Sequence, residues 1–297
     1  MPLRLPATVA LAEAATDLPS GPGWAYEPKF DGHRVIVARP QEGRARLQAG
    51  RSHRSVTAHF PDLAQAAEQL PPGTVLDGEA VIYQEGHVDF TAVQQRALSS
   101  PLRARLLASQ LPASYAAFDA LAVEGEDLRA RPYEERRERL LAVLGPLGPP
   151  LQAVPSTTDR GEALEWLEAL RGQGIEGIVA KRTSGRYAAG RRAWVKVRHA
   201  RAQDAVAVGF TGAASRPKRA VVDVGGGRLL LSTPLDVALS GLLAQALEVA
   251  GDAVGGVEWM RDGTQFHVLR QVMPVEVEVG TTRHRHVTVR RLRPDLG

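Results

Sequence analysis

Residues 24–38 constrain this chain more than any other stretch. Lys29 sits there between two β-prone runs, Trp24-Ala25-Tyr26 and Val35-Ile36-Val37-Ala38. Aromatic and β-branched residues favour strands, and Asp31-Gly32 between them predicts a tight hairpin. A lysine at such a turn is either a solvated surface charge or a nucleophile. To attack, its amine must shed a proton, which requires burial or neighbouring cations. The chain holds 37 Lys plus Arg, yet its only lysines are Lys29, Lys181, Lys196 and Lys218. Positive charge is thus written as arginine by default. A lysine marks a position where the chemistry needs an amine that can deprotonate.

The rest of the chain supplies the frame. Residues 1–23, rich in Pro and Ala, are expected to wrap the surface. Arg44 to Gln48 reads as a strand leading into Gly50-Arg51-Ser52-His53-Arg54. Leu63, Ala66, Ala67 and Leu70 have helical spacing, stopped by Pro71-Pro72-Gly73. From Thr74 to Tyr83 the pattern alternates: Leu76, Ala80 and Ile82 face one way, Asp77, Glu79 and Val81 the other. Two acids share that second face, with Asp77 assigned to a strand turn. Ser114 to Ala122 is a strand with Phe118 and Asp119 on opposite faces. Pro132 opens a helix through Leu144, with Leu140, Leu141 and Leu144 inward. A second helix runs from Glu162 to Arg171, ended by Gly172 and Gly174. Strands follow at Ile175–Arg182 and Ala193–Arg198, the latter with Trp194, Lys196 and Arg198 on one face.

A domain boundary is expected near His199-Ala200-Arg201, giving domains 1–199 and 200–297. Beyond it short strands dominate: Ala205–Phe210, Ala220–Val224, Arg228–Ser232, Phe266–Leu269, Val275–Val279 and Val287–Leu292. One helix, Leu235–Ala250, interrupts them. Gly225-Gly226-Gly227 is a hairpin turn, since strands rather than a helix flank it. Such a set fits a small Greek-key barrel of OB type. The absence of cysteine excludes disulfides and Cys-bound zinc. No apolar run approaches the ~20 residues of a membrane span, and the first residues lack a signal-peptide core, so a cytoplasmic protein without membrane contact is expected. A net charge of +4 and a pI near 9.7 allow a nucleic-acid partner.

Lys29-Phe30-Asp31-Gly32-His33-Arg34 matches the K-x-D-G-x-R signature of covalent nucleotidyltransferases. Companion motifs follow in order: Leu76-Asp77-Gly78-Glu79, Ala117-Phe118-Asp119, Glu176 to Lys181, and Trp194-Val195-Lys196-Val197-Arg198. With these the chain resembles the ATP-dependent DNA ligases over nearly its whole length, most closely the compact catalytic modules of bacterial end-joining ligases. The resemblance implies an α+β fold: an adenylation domain on ATP-grasp-like antiparallel sheets, followed by an OB-fold β-barrel. It implies that Lys29 takes AMP from ATP as a phosphoramidate, that Glu27 and Phe118 border the adenine, and that Arg34 lies near the ribose and phosphate. Glu79 would take the ribose hydroxyls or a metal water. Glu176 would hold Mg²⁺ (or Mn²⁺), with Glu79 as second metal contact. Lys181, Lys196 and Arg198 would neutralise the phosphates and lower the pKa of Lys29. Arg51 and, less centrally, Arg54 would grip the 5′-phosphate of nicked duplex DNA, the implied substrate.

Two departures stand out. Arg198 occupies the place of a second motif lysine. The tail from Arg283-His284-Arg285-His286 to Arg291, Arg293 and Asp295 resembles the family's last motif, but Leu296 replaces its final lysine. His284 and His286 are expected at phosphates rather than a metal, whereas His33, His53, His59 and His87 show no ligand spacing. With 28 residues ahead of Lys29, no DNA-binding domain is expected to precede it. Arg51, Arg54, Arg291 and Arg293 would then grip the DNA, with a Ku-like end-joining factor as a possible recruiter of a monomer. RNA ligases and capping enzymes share the first signature. Phe60-Pro61-Asp62-Leu63 and Arg131-Pro132-Tyr133 to Arg136-Arg137 favour the end-joining type over capping. A non-catalytic OB-type nucleic-acid binder would need no Lys29, Glu79 and Glu176 together.

Overall fold

The computed structural model describes residues 3–170, 173–280 and 287–293. The chain divides into two units, Met1–Arg198 and His199–Gly297. In chain order the strands of the first are β1 (Leu11–Ala14), β2 (Trp24–Phe30), β3 (His33–Arg39), β4 (Arg46–Ala49), β5 (Thr74–Gln84), β6 (His87–Val88), β7 (Ala113–Val123), β8 (Glu126–Asp127), β9 (Leu151–Ala153), β10 (Ile175–Arg182) and β11 (Arg192–Arg198). Its helices are α1 (Pro61–Ala66), α2 (Phe90–Leu98), α3 (Pro101–Gln110), α4 (Tyr133–Leu144) and α5 (Arg160–Ala169).

Two sheets result. One has the order β1-β11-β10-β2; the other runs β4-β3-β5-β7-β8, with β6 on β5 and β9 on β7. The alternation of β5 explains the layering. Leu76, Ala80 and Ile82 join Phe60, Leu63, Val93 and Leu140 in a core under the helices. Val75 faces the other way, into a second core with Ile36, Leu121, Tyr187 and Trp194 between the sheets. The outer face of the four-stranded sheet (Tyr26, Ile178, Ala180, Val197) is closed by Ala163, Leu164 and Leu167 of α5. Each fully buried Leu, Ile or Phe contributes roughly 1.5–3 kcal/mol of transfer free energy. Burying both faces of a sheet therefore outweighs any single local preference.

Four expectations are corrected. Asp31-Gly32 is not a hairpin: β2 pairs with β10, whereas β3 pairs with β4 and β5. The link carries the chain from one sheet to the other. Gly32 is required there because a Cβ would lie 2.3 Å from the Ala80 carbonyl oxygen. The N-terminal segment does not simply coat the surface. Ala7, Val9 and Ala10 are buried, and β1 extends the four-stranded sheet parallel to β11. Asp77 is no turn residue but the middle of β5, opposite Ile36 and Asp119. On α4, Leu141 is exposed while Val143 points inward, because the helix meets β7 on the face of Leu140, Val143 and Leu144.

The second unit comprises β12 (Ala200–Ala213), β13 (Arg216–Asp223), β14 (Leu229–Leu231), α6 (Val237–Val249), β15 (Val254–Trp259), β16 (Gln265–Gly280) and β17 (Val287–Leu292). Its sheet has the order β14-β13-β12-β16-β15, with β17 also on β16. A bridge from Ser232, just past β14, to Val287 of β17 closes five strands into a ring. Phe210, Val222, Val277 and Val289 fill it, together with Leu239, Leu243 and Leu247 of α6. The three glycines 225–227 make the β13–β14 turn with positive φ throughout. Phe266–Leu269 and Val275–Val279 belong to one long strand, β16, because β12 pairs along both parts through a bulge near Ala207.

Candidate active site

Between the two sheets of the first unit, one face of β2, β10 and β11 gathers the chain's rare lysines. Glu27 and Lys29 alternate onto it from β2. In register, Lys29 lies opposite Gly177 and Gly177 opposite Arg198, while Val179 lies opposite Lys196. Strict alternation would send Glu176 to the apolar side with Ile178. A β-bulge between Ile175 and Gly177 re-aims it, as bulges do beside functional sites. Its carboxylate forms an ion pair with the Lys29 ammonium and stands 3.4 Å from Arg198 Nε. Gly177 makes the crowding possible: a Cβ there would come within 2.0 Å of the Val197 carbonyl oxygen.

Charge on this face is unbalanced. Burial pushes Glu176 up, but Lys29, Arg198 and Lys196 overcome it and hold the carboxyl below its ordinary value. Burial, then Arg198 and Lys29, push the Lys196 ammonium down, with Arg51 adding to the effect. Lys29, Arg198 and Lys196 thus converge on a single carboxylate, with Arg51 acting on Lys196, and the surplus of positive charge is a place for an anion.

The facing sheet uses the same device. In β7 the register slips so that Asp77 pairs with Asp119 and Gly78 with Ala117, leaving Phe118 as the extra residue. Its ring is half-buried and meets Trp194 edge-on, with centroids 5.8 Å apart. Its carbonyl, released from the ladder, accepts 2.6 Å from Lys181 Nζ. Lys181 is buried, 2.7 Å from Glu27 Oε2, and its ammonium lies over the rings of Phe118, Tyr133 and Trp194. It packs among those three rings, beside Glu27.

Arg34 is likewise committed. Its Nε and Nη2 donate to Asp77 at 3.0 and 2.6 Å, and its Nη1 to the Ala10 carbonyl at 2.7 Å. The guanidinium covers Phe118 and Trp194, so it braces the rings. Tyr187 completes this brace, donating to Asp77 and accepting from Ala10 N–H. Sequence reasoning missed Tyr187, and it took Tyr133 only as part of an end-joining-type stretch, not as a site residue, whereas its hydroxyl donates to Glu27. The positions 133, 136 and 137 share one helical face, a spacing that could have drawn notice. Arg51 and Arg54 are exposed beyond β4. Arg291 and Arg293 are no free cations: Arg291 pairs with Glu276 at 2.7 Å and Arg293 with Asp204 at 2.9 Å. Cross-strand acids opposite arginines explain it. Arg283, His284, Arg285, His286, Asp295 and Leu296 lie outside the described residues.

Glu79, near Lys29 and Arg34, has its carboxyl pushed up to about 7 by burial, which outweighs those two cations. A raised folded-state pKa favours the fold while both states are protonated. That advantage is lost as pH climbs from the unfolded value near 4.5 through the folded one. Glu79→Gln should therefore gain on the wild type between pH ~5 and ~8, by on the order of 2–3 kcal/mol. Urea titrations of both proteins across that range check this; a constant difference would refute it.

The model of the ATP dependent DNA ligase domain family matches residues 7–198. DNA ligase C2 of Mycolicibacterium smegmatis is 37% identical over 211 residues, covering 71% of this chain and 58% of that protein. The multifunctional non-homologous end joining DNA repair protein LigD of Mycobacterium tuberculosis is 34% identical over 191 residues, 63% of this chain and 23% of that one. The chain therefore spans less than two thirds of the curated relatives it matches. The solved ligase domain of M. tuberculosis LigD superimposes with a TM-score of 0.58 at 28% identity, over 97% of this chain and 95% of that one.

Proposed function

The chain belongs to the ATP-dependent DNA ligase family, and from that premise we propose that it joins 5′-phosphate and 3′-hydroxyl ends at nicks in duplex DNA. The observation that carries the proposal is the convergence of Lys29, Arg198 and Lys196 on one carboxylate, Glu176, with Arg51 close enough to act on Lys196. We propose the first unit as the adenylation domain, with its two antiparallel-rich sheets as an ATP-grasp-like cradle. The second unit, a closed five-stranded ring with one helix, is proposed as the OB-fold domain.

ATP then lies with its base against Phe118 and Glu27 and its phosphates toward Lys196 and Arg198. Lys29 Nζ attacks the α-phosphorus; a P–N bond forms, the bond to pyrophosphate breaks, and the amine gives up its proton. The 5′-phosphate of the nick next attacks that phosphorus, the P–N bond breaks, and Lys29 is restored. Finally the 3′-hydroxyl displaces AMP and closes the strand. Lys196 and Arg198 neutralise the charge gathering on the phosphates, and Arg51 holds the 5′-phosphate.

Among the described residues no three His, Asp or Glu cluster to hold a metal by themselves. Glu176 and Glu79 beside Lys29 nevertheless suit Mg²⁺, which accepts one or two carboxylates when phosphate oxygens fill its shell. The ion would supply charge neutralisation at the triphosphate. Glu176→Ala should cut protein labelling by α-labelled ATP by about 100-fold or more, whereas wild-type labelling across a Mg²⁺ titration would refute the assignment. The reading itself is tested by charging the protein with labelled AMP and offering nicked DNA or nicked RNA. Sealing of DNA with loss of label supports it; sealing of RNA alone makes the protein an RNA ligase. The similarity to LigD supports a role in end joining.

A further inference from the structure

We infer that Tyr133 and Arg137, neighbours on one face of α4, are positioning residues that set the preference for adenine over guanine by fixing Glu27. The inference rests on the placement of the base at Phe118 proposed above. Glu27 is a carboxylate only 2% exposed. Its Oε2 takes Lys181 at 2.7 Å; its Oε1 receives the Tyr133 hydroxyl and faces Arg137 Nη1 at 3.5 Å. Ser156 engages the same hydroxyl. Burial and the adjacent Glu27 push the phenol well above its ordinary value, so it stays a neutral donor. Arg137 is tied in turn to the Val154 carbonyl.

The base end of the cleft therefore offers an acceptor, Glu27, and a donor, Lys181, side by side. Adenine presents an amino group at its 6-position, guanine a carbonyl oxygen. A carboxylate held from its far oxygen keeps a lone pair for the amino group and repels the carbonyl. Without that hold the carboxylate is free to turn, its lone pair no longer faces the amino group, and its repulsion of the guanine carbonyl weakens. Sites built around a hydrogen bond reject the mismatched analogue because buried polar groups are left unpaired. Tyr133 and Arg137 thus act through Glu27 without meeting the base.

The test measures initial rates of protein labelling by α-labelled ATP and α-labelled GTP over a concentration range. The proteins are wild type, Tyr133→Phe, Arg137→Met and Arg137→Lys. Tyr133→Phe should raise KM for ATP, leave the saturating rate within about twofold, and lower the ATP-to-GTP ratio of rate over KM by about tenfold. Arg137→Met should lower the ratio by a smaller factor, and Arg137→Lys should restore it. A purely structural role would depress both nucleotides equally along with the melting temperature. An unchanged ratio in both Tyr133→Phe and Arg137→Met overturns the inference while leaving the ligase reading intact. A wild type labelled by neither nucleotide overturns both.

Discussion

Lys29→Arg is expected to leave no detectable transfer of AMP to the protein, a loss on the order of 10⁴-fold or more. The substitution separates two roles of the residue. An arginine keeps the positive charge and can still pair with Glu176, which contacts the Lys29 ammonium. It therefore preserves much of the electrostatics of the face. It cannot supply a neutral nitrogen, because the guanidinium holds its proton at any accessible pH. Lys29→Ala should fail equally and for the same reason. The Lys29 side chain is 23% exposed, and Arg198 Nε still stands 3.4 Å from the Glu176 carboxylate when it is removed, so that acid keeps a partner and neither variant should lose more than about 1–2 kcal/mol of stability. Unfolding curves beside the labelling gel separate chemistry from folding. Label retained by the alanine variant would put the nucleophile elsewhere.

Arg136→Ala should have the largest effect on stability. Arg136 and Asp119 are both 0% exposed, joined by two hydrogen bonds of 2.7 and 2.9 Å. The remaining nitrogen, Nη1, donates to the carbonyls of Arg131 and Gly185. Deleting the guanidinium leaves Asp119 as an unpaired charge inside the protein, a cost of about 3–5 kcal/mol. For a unit of this size that lowers Tm by roughly 10 °C. Replacing both partners with apolar residues, Arg136→Met with Asp119→Leu, should recover part of the loss, because no orphan charge remains. Denaturant titrations of the three proteins check the order. A single variant within about 1 kcal/mol of wild type would mean that water reaches Asp119.

What the sequence made legible follows period and propensity. The alternation of Leu76, Ala80 and Ile82 against Asp77 and Glu79 reappears as the two faces of β5. The lysine usage led to Lys29, Lys181 and Lys196, which the fold brings to one sheet face. Two bulges were not legible, because an extra residue leaves no mark in a two-residue period. Those bulges place Glu176 and Phe118. The link at Asp31-Gly32 was misread since a glycine needed for close approach to Ala80 looks the same as one needed for a turn. Helices α2 and α3 escaped for another reason. Leu98, Leu102 and Leu106 are exposed there, so the apolar pattern does not mark the buried face.

The central claim is that the Lys29 amine carries AMP between ATP and the DNA end. The most direct measurement is peptide mapping by mass spectrometry after incubation with ATP and Mg²⁺, repeated after a chase with 5′-phosphorylated nicked DNA. The account predicts one acid-labile AMP adduct on Lys29, which blocks tryptic cleavage there and disappears on the chase as sealed strand appears. An adduct on Lys181, Lys196 or Lys218, or sealing with no adduct at any stage, would contradict it.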